Sequence, residues 1–462
     1  MDVNISTLMA ALPQDDDATQ QSLRDIFADL AQRPVPVGSL HRLWSLSELS
    51  GQVCLAYLAL WIRQWFATAE ASQQALMETN LRVALKMFHR FGYLRGLIAK
   101  LGQTAGSLPH ILPDQVAETL DALHSAAPPM HYTLIREVVR NEFGKDPEEL
   151  FLTFDKQAFA AASLGQVHRA TLNSGEKVAV KIQYPGIART IEADFRNLSA
   201  LILPLRLGKD WESVKAQCGE IHRMLKQEVD YLQEAESLRR AAALFRPEDG
   251  IVVPQVYPAY SGRRVLTAGY LQGDHLAEYL ARNPTQDSRN AFGTKIYTAW
   301  CRMYYGSMTQ ADPNPGNYLF LPDGRLGLID FGCIQHYGAE EREQVRLADR
   351  MAFEDPSIIS EVVRRACGLA ADDPEMDVYV RMMEASCRWM MEPVSQPGPF
   401  DFGDPGHFQR GADLFANIVR SRRMRAHPMY VYLNRGVYGL KALLYRLRAQ
   451  VDVHEVLRQE QI

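Results

Sequence analysis

Apolar and polar positions change period several times along the chain. Before about Leu23 no period is evident, and residues 1–22 are read as a flexible N-terminus. Ser39 to Leu123 has helical spacing interrupted near Pro109 and Pro113. Within it Asn80 to Leu101 is an amphipathic basic helix, closed by Gly102 and Gly106. Pro128-Pro129 marks the passage to a segment, Phe151 to Tyr184, where strands dominate, and Lys177-Val-Ala-Val-Lys-Ile182 alternates residue by residue. Helical spacing returns from Ile187 to Ala243. In Val214 to Arg240 the apolar positions Leu225, Val229, Leu232 and Ala235 predict one long helix carrying Glu228, Asp230 and Glu234. At about 100° per residue, Glu228 and Asp230 diverge by roughly 200° and Glu234 lies about 120° from Glu228. At least one of these acids must therefore bond something other than a common site, unless the helix is distorted.

Val252 to Leu271 reads as a strand pair around Ser261-Gly262, with a hinge near Ala268-Gly269-Tyr270. Thr294 to Met308 predicts a helix. Tyr318 to Leu321, Pro322-Asp-Gly324 and Leu326 to Ile329 predict a hairpin. Beyond Glu340 the chain is helical, with a break from Pro393 to Gly406. The units that follow are 1–22, a helical extension at 23–128, a strand-rich lobe with inserted helices at 129–270, and a helical lobe at 271–462.

The chemistry concentrates where the hairpin begins and ends. Gln310-Ala-Asp-Pro-Asn-Pro-Gly-Asn317 precedes it and Leu328-Ile-Asp-Phe-Gly332 closes it. Phosphoryl transfer needs a carboxylate near the attacking oxygen and oxygen ligands for a phosphate-bridging cation. Asp312, Asn317 and Asp330 supply these in the order protein kinases use, and Lys181 ends a V-A-V-K strand upstream. Where a Gly-rich phosphate loop belongs, Ala160-Ala-Ala-Ser-Leu-Gly-Gln166 has alanines and retains only Gly165. Alanine's Cβ forbids most of the backbone space that glycine opens, so this loop should be stiffer, or should start a small-residue helix whose N–H groups face phosphate.

With Lys100-Leu-Gly-Gln103, the alanine loop, Glu228-Val-Asp-Tyr-Leu-Gln-Glu-Ala235 and the D-P-x-P-G-N and D-F-G pair, the chain resembles the UbiB/AarF family of atypical protein-kinase-like ATPases, tied to ubiquinone biosynthesis and lipid homeostasis. The resemblance implies an α+β class: an atypical protein-kinase-like bilobal fold with extra N-terminal and C-terminal helical segments. It implies ATP or ADP with Mg2+ as cofactors. Ala160, Ala161, Ala162, Ser163, Gly165, Gln166, Lys181 and Tyr270 would line the nucleotide, and Lys181 would pair with Glu234. Asp312 would be the catalytic base, and Asn317 and Asp330 the metal ligands. Lys100 and Gln103 would face Glu228 and Asp230 and occlude the cleft, favouring ATP hydrolysis or a small or lipid-like substrate over protein phosphorylation. Relatives usually carry histidines where this chain has Gln310 and Asn314, so any network an imidazole provides there is in question. No clear H-R-D arginine or A-P-E segment is present, so activation-loop phosphorylation is not supported.

Composition narrows the alternatives. A chain of 462 residues with 47% hydrophobic content can bury two or three large units. A net charge of -5 argues against a general nucleic-acid binder. No apolar run reaches the roughly 18–20 residues of a membrane span, and Cys54 to Ile62 stops at Arg63. Met1 to Gln20 lacks the features of a secretion signal, and Val451 to Ile462 is polar. Six cysteines without a C-x-x-C pair fit a reducing cytoplasm. The expected location is cytoplasmic, with peripheral contact at the inner face of a membrane, and the candidate partners are an isoprenoid-quinone precursor or anionic lipid. Competing readings are a nucleotide-binding pseudokinase that regulates a lipid-biosynthetic complex, and a small-molecule phosphotransferase.

Overall fold

The computed structural model describes residues 130–162, 164–188, 191–192, 219, 222–310, 314–370, 372–395, 397–420 and 428–460. Of two compact units, the first contributes only residues 187–188 and 191–192 to this set. Everything below belongs to the second, which takes in Pro129–Gly186 and Gly208–Ile462.

The first helix among its described residues is α1 (Tyr132–Phe143), which ends at Gly144 with φ 71°, a conformation glycine adopts without strain. After a short turn, α2 (Pro147–Leu150), come four strands: β1 (Thr153–Phe154), β2 (Ala160–Ala162), β3 (Gly165–Thr171) and β4 (Lys177–Gln183). With β6 (Val265–Gly269) they form an antiparallel sheet of order β1-β3-β4-β6, with β2 on β3. The alternation of β4 decides its two faces. Val178, Val180 and Ile182 are fully buried against Ile135, Val138 and Val139 of α1, each such side chain contributing ~1.5–3 kcal/mol by burial. Lys177, Ala179 and Lys181 lie on the other face.

The helical expectation for Val214 to Arg240 is corrected by a break. A helix over residues 222–228 stops at a turn, and a new one, α3 (Tyr231–Ala242), starts after Asp230. Asp230 leaves helical conformation to act as N-cap, its side chain accepting from Gln233 N at 3.1 Å. The restart rotates the register, so that Tyr231, Glu234, Ala235 and Leu238 are buried while Leu232 is 47% exposed.

The predicted strand pair at Val252 to Leu271 is also corrected. Pro254 and Pro258 cannot donate to a ladder; Ile251–Val252 (β5) instead pairs in parallel with β9 (Leu326–Leu328), and Val256 keeps a single bridge to Ala268. β8 (Tyr318–Phe320) and β9 form the expected hairpin, with Gly324 at φ 81° in its turn. Before them lie α4 (Leu276–Ala281), α5 (Gln286–Tyr305) and β7 (Met308–Gln310). α5 starts eight residues earlier than its pattern predicts because Thr285 caps it, and Met308 belongs to β7, paired with β10 (Ile334–His336).

The rest is helical: α6 (Ala339–Phe353), α7 (Ile359–Cys367), α8 (Met376–Ser395), α9 (Pro405–Arg420), α10 (Pro428–Leu447) and α11 (Val453–Gln459), with β11 (Phe400–Asp401) and β12 (Gln450–Val451) paired between them. Pro393, expected to open a break, lies inside α8. Its ring removes the N–H that Trp389 O needs four residues back, and Lys441 Nζ from α10 donates to that carbonyl at 2.8 Å. The largest core joins Phe292, Ile296, Ala299 and Met303 of α5 to Leu440, Leu443, Leu444 and Leu447 of α10 and to the β8–β9 hairpin. This core is the platform that carries the loops containing Asn317 and Asp330.

Candidate nucleotide and metal site

Lys181 projects from the face of β4 that α1 does not cover. Its ammonium donates to both Glu234 oxygens, at 2.8 and 3.0 Å, and to Asp330 Oδ2 at 3.3 Å. It also sits 5.2 Å from the centre of the Tyr231 ring. Burial alone would pull the ammonium down, but the Asp330 and Glu234 carboxylates outweigh it and hold Lys181 well above the usual lysine range. Burial pushes the Glu234 carboxyl up, with the ammonium opposing. Because both its oxygens lie on Lys181, the ionised form is the one the geometry accommodates. Glu234 is placed by the helix break: Gln183, two residues beyond Lys181 on β4, donates to Val229 O at 2.7 Å and holds the turn from which α3 starts. Sequence reasoning missed Gln183, although its i+2 position put it on the face of Lys181.

Asp330 and Asn317 come from the two ends of the hairpin. Ile329 N bonds Asn317 O at 3.1 Å, and both residues border one small cavity of about 20 Å3, with Trp300, Gln310, Tyr318 and Phe331 among its walls. Asp330 Oδ1 accepts from Gly332 N at 3.0 Å. The two histidine replacements have definite partners. Gln310 Nε2 donates to Asp330 O at 3.2 Å, and Gln310 Oε1 accepts from the Tyr318 hydroxyl at 3.3 Å. Asn314 Oδ1 accepts from Gly316 N at 2.8 Å and caps the turn that presents Asn317.

The alanine loop is neither open nor helical. Ala160, Ala161 and Ala162 are β2, paired with Val167, Gln166 and Gly165. Ala160 and Ala162 share the sheet face of Lys181, through the Val167–Lys181 pair. Gly165 is needed for close strand approach: an added Cβ would lie 2.3 Å from Ile182 O. The Gln166 side chain lies on the opposite face from Lys181 and is 2% exposed. There it accepts from Met130 N at 2.9 Å and bonds His168 Nε2 at 2.8 Å, so only its backbone is on offer to a ligand over Lys181. Tyr270 follows β6, its N–H bonding Lys177 O at 3.0 Å. Arg169 lies over both the Phe159 and Tyr270 rings, at 4.6 and 5.4 Å, a stack the sequence reading did not single out.

Glu228, Asp230 and Glu234 part company. Glu234 meets Lys181, Asp230 caps α3, and Glu228, 6% exposed, accepts from the Cys333 thiol at 2.9 Å. Cys333 is thereby buried beside the D-F-G glycine. Lys100, Gln103, Ser163 and Asp312 lie outside the described residues.

The donor set suits a hard cation. An amide and a carboxylate, on two loops joined by the Ile329 N–Asn317 O bond, are oxygen donors of the kind Mg2+ takes beside phosphates and water. Among the described residues no cluster of three or more His, Cys, Asp or Glu forms an all-protein cage.

Residues 122–355 match the ABC1 atypical kinase-like domain, just over half of the chain. The chain belongs to this family. Mouse AarF domain-containing protein kinase 1 is 31% identical over 274 residues, 58% of this chain and 52% of the relative. The yeast atypical kinase COQ8, mitochondrial, is 27% identical over 317 residues, 67% of this chain and 62% of the relative. The chain thus spans about half the length of the first curated relatives it matches. The solved structure of Rv3197 from Mycobacterium tuberculosis, in complex with erythromycin, superposes with a TM-score of 0.54 at 24% identity, covering 85% of this chain and 98% of that one. At that identity the likeness supports the fold: an ABC1-type, α+β, kinase-like architecture. Among the described residues no helix is long and apolar enough to cross a membrane.

Proposed function

We propose that the chain binds an adenine nucleotide with Mg2+ and uses it in phosphoryl chemistry, hydrolysing ATP or serving a small lipid-like substrate, in ubiquinone biosynthesis or isoprenoid-lipid handling rather than in protein phosphorylation. The observation that carries this reading is Lys181 held between Glu234 and Asp330, one residue from each of three elements. In this reading Lys181 binds the α- and β-phosphates and Glu234 fixes its direction. Ala160 and Ala162 bound the phosphates from above. Asn317 and Asp330 would hold the cation, which when bound neutralises charge developing on the phosphates. Asp312, by its place in the sequence, would orient the attacking hydroxyl or water and take its proton. Oxygen attack then breaks the bond from the γ-phosphorus to the β-phosphate oxygen, and ADP leaves.

The quinone link, the anionic-lipid partner and a peripheral membrane position rest on family resemblance. The test is phosphate release by purified protein with Mg2+, with and without anionic liposomes, using Asp330→Asn as control. Turnover that liposomes raise and Asp330→Asn abolishes supports the reading. Nucleotide binding without turnover in any condition leaves a pseudokinase. Stoichiometric phosphate on an added metabolite indicates a phosphotransferase.

A further inference from the structure

The loop from Asp330 to Cys333 is pinned at both ends. Ile329 N is held by Asn317 O, and Ile334 pairs with Gln310 in the β7–β10 ladder. Between these pins the Asp330 peptide could still rotate, and any rotation swings its carboxylate. Gly332 N and Lys181 hold the carboxylate itself, and the Gln310 side chain restrains the peptide, its N–H2 meeting Asp330 O at 3.2 Å. An amide can present either end, and the Asp330 carbonyl, which can only accept, takes Nε2, leaving Gln310 Oε1 to accept from the Tyr318 hydroxyl at 3.3 Å. Tyr318 directly follows Asn317. One amide therefore connects the loop bearing Asn317 to the peptide bearing Asp330, beside the small cavity that both residues border.

We propose that Gln310, braced by Tyr318, is a positioning residue that fixes the Asp330 peptide, and through it the relative aim of Asp330 and Asn317 at a nucleotide-bound divalent cation. The amide does at this position what an imidazole can do in relatives, without a proton to gain or lose. This deepens the function proposed above and rests on it. Lys181 keeps its two shorter bonds, to Glu234, without Gln310, and only its 3.3 Å contact runs to Asp330, so removing the amide should weaken the cation's contribution to nucleotide binding more than the rest.

The experiment measures ATP affinity by calorimetry with excess Mg2+ and with EDTA, the ratio being the magnesium-dependent gain. Gln310→Leu should cut that gain about tenfold, the size expected for about one lost hydrogen bond to a positioned group. Affinity in EDTA should stay within about twofold of wild type, and the thermal midpoint should fall by no more than a few degrees, the cost of about one lost hydrogen bond. Tyr318→Phe should cut the gain by about threefold, a fraction of that bond. Gln310→His at pH 8, where a neutral imidazole can still donate, should restore most of the gain. A gain that survives Gln310→Leu overturns this inference alone, as does an equal loss with and without Mg2+, which would mark a purely structural residue. A wild-type chain with no magnesium-dependent gain overturns the proposed metal site and this inference with it.

Discussion

Replacing Gly165 by alanine separates two reasons for keeping a glycine in an otherwise alanine loop. An added Cβ would lie 2.3 Å from Ile182 O, 3.0 Å from Ile182 C and 3.1 Å from Gln183 Cα, all backbone atoms that no side-chain rotation can move. An unstrained carbon–oxygen contact needs roughly 3.3 Å, so β3 and β4 must part by about 1 Å at this rung. Overpacking of this kind costs ~1–3 kcal/mol, and weakening one ladder hydrogen bond adds ~1 kcal/mol. A loss of about 3 kcal/mol is expected by urea titration followed by circular dichroism. Because Gly165 pairs with Gln183, and Gln183 holds the turn before α3, nucleotide affinity should fall as well. Ala161→Gly, at an exposed β2 position, is the control and should cost only ~0.5–1 kcal/mol. If Gly165→Ala keeps wild-type stability while nucleotide affinity drops, the glycine serves phosphate approach and the strand-packing explanation is wrong.

Three further predictions concern the helical part. Lys441→Met should cost ~1–3 kcal/mol by leaving Trp389 O unpaired, and adding Pro393→Ala, which returns the missing N–H, should recover part of that in a double-mutant cycle. Burial and the Lys441 charge lower His407 from its usual value to about 4. The unfolded chain therefore binds the extra proton first, and stability present above about pH 6.5 is lost as pH falls toward 4, by up to ~3 kcal/mol; acid titrations of wild type and His407→Gln should diverge over that window. Arg302 bonds both Asp249, at 2.9 Å through Nη2, and Glu460, at 2.7 Å through Nε. Arg302→Met strands two partly buried carboxylates and should lower the unfolding free energy by about 3 kcal/mol in urea.

The strands and the hairpin were legible because period-2 alternation and Pro-Asp-Gly turn chemistry are local signals. Lys177 to Gln183 and Tyr318 to Leu328 fold as their own residues dictate. The break at Val229-Asp230 was not legible as a break, although the 200° divergence of Glu228 and Asp230 already said that an unbroken helix could not serve both. Local spacing of Leu225, Val229, Leu232 and Ala235 favoured continuity, and the cap at Asp230 with the long-range bond from Gln183 overrode it. Ile251–Val252 went to a different sheet because its partner, Leu326-Gly327, lies far along the sequence and no local pattern names it. The same holds for the site: residue types and order nominated Lys181 and Asp330, the family resemblance singled out Glu234 among three acids, and the side Gln166 faces and the partners of Gln310 needed coordinates.

The Gln166 contacts make the sheet's back a mechanical tether. Met130 hangs by its N–H from a side chain whose neighbour is Gly165, and the same amide leads through His168, whose Nδ1–H donates to Asp155 O at 2.7 Å, to the segment before β2. Met130, β3 and the segment before β2 are therefore strung on one amide and one imidazole behind the alanine hairpin.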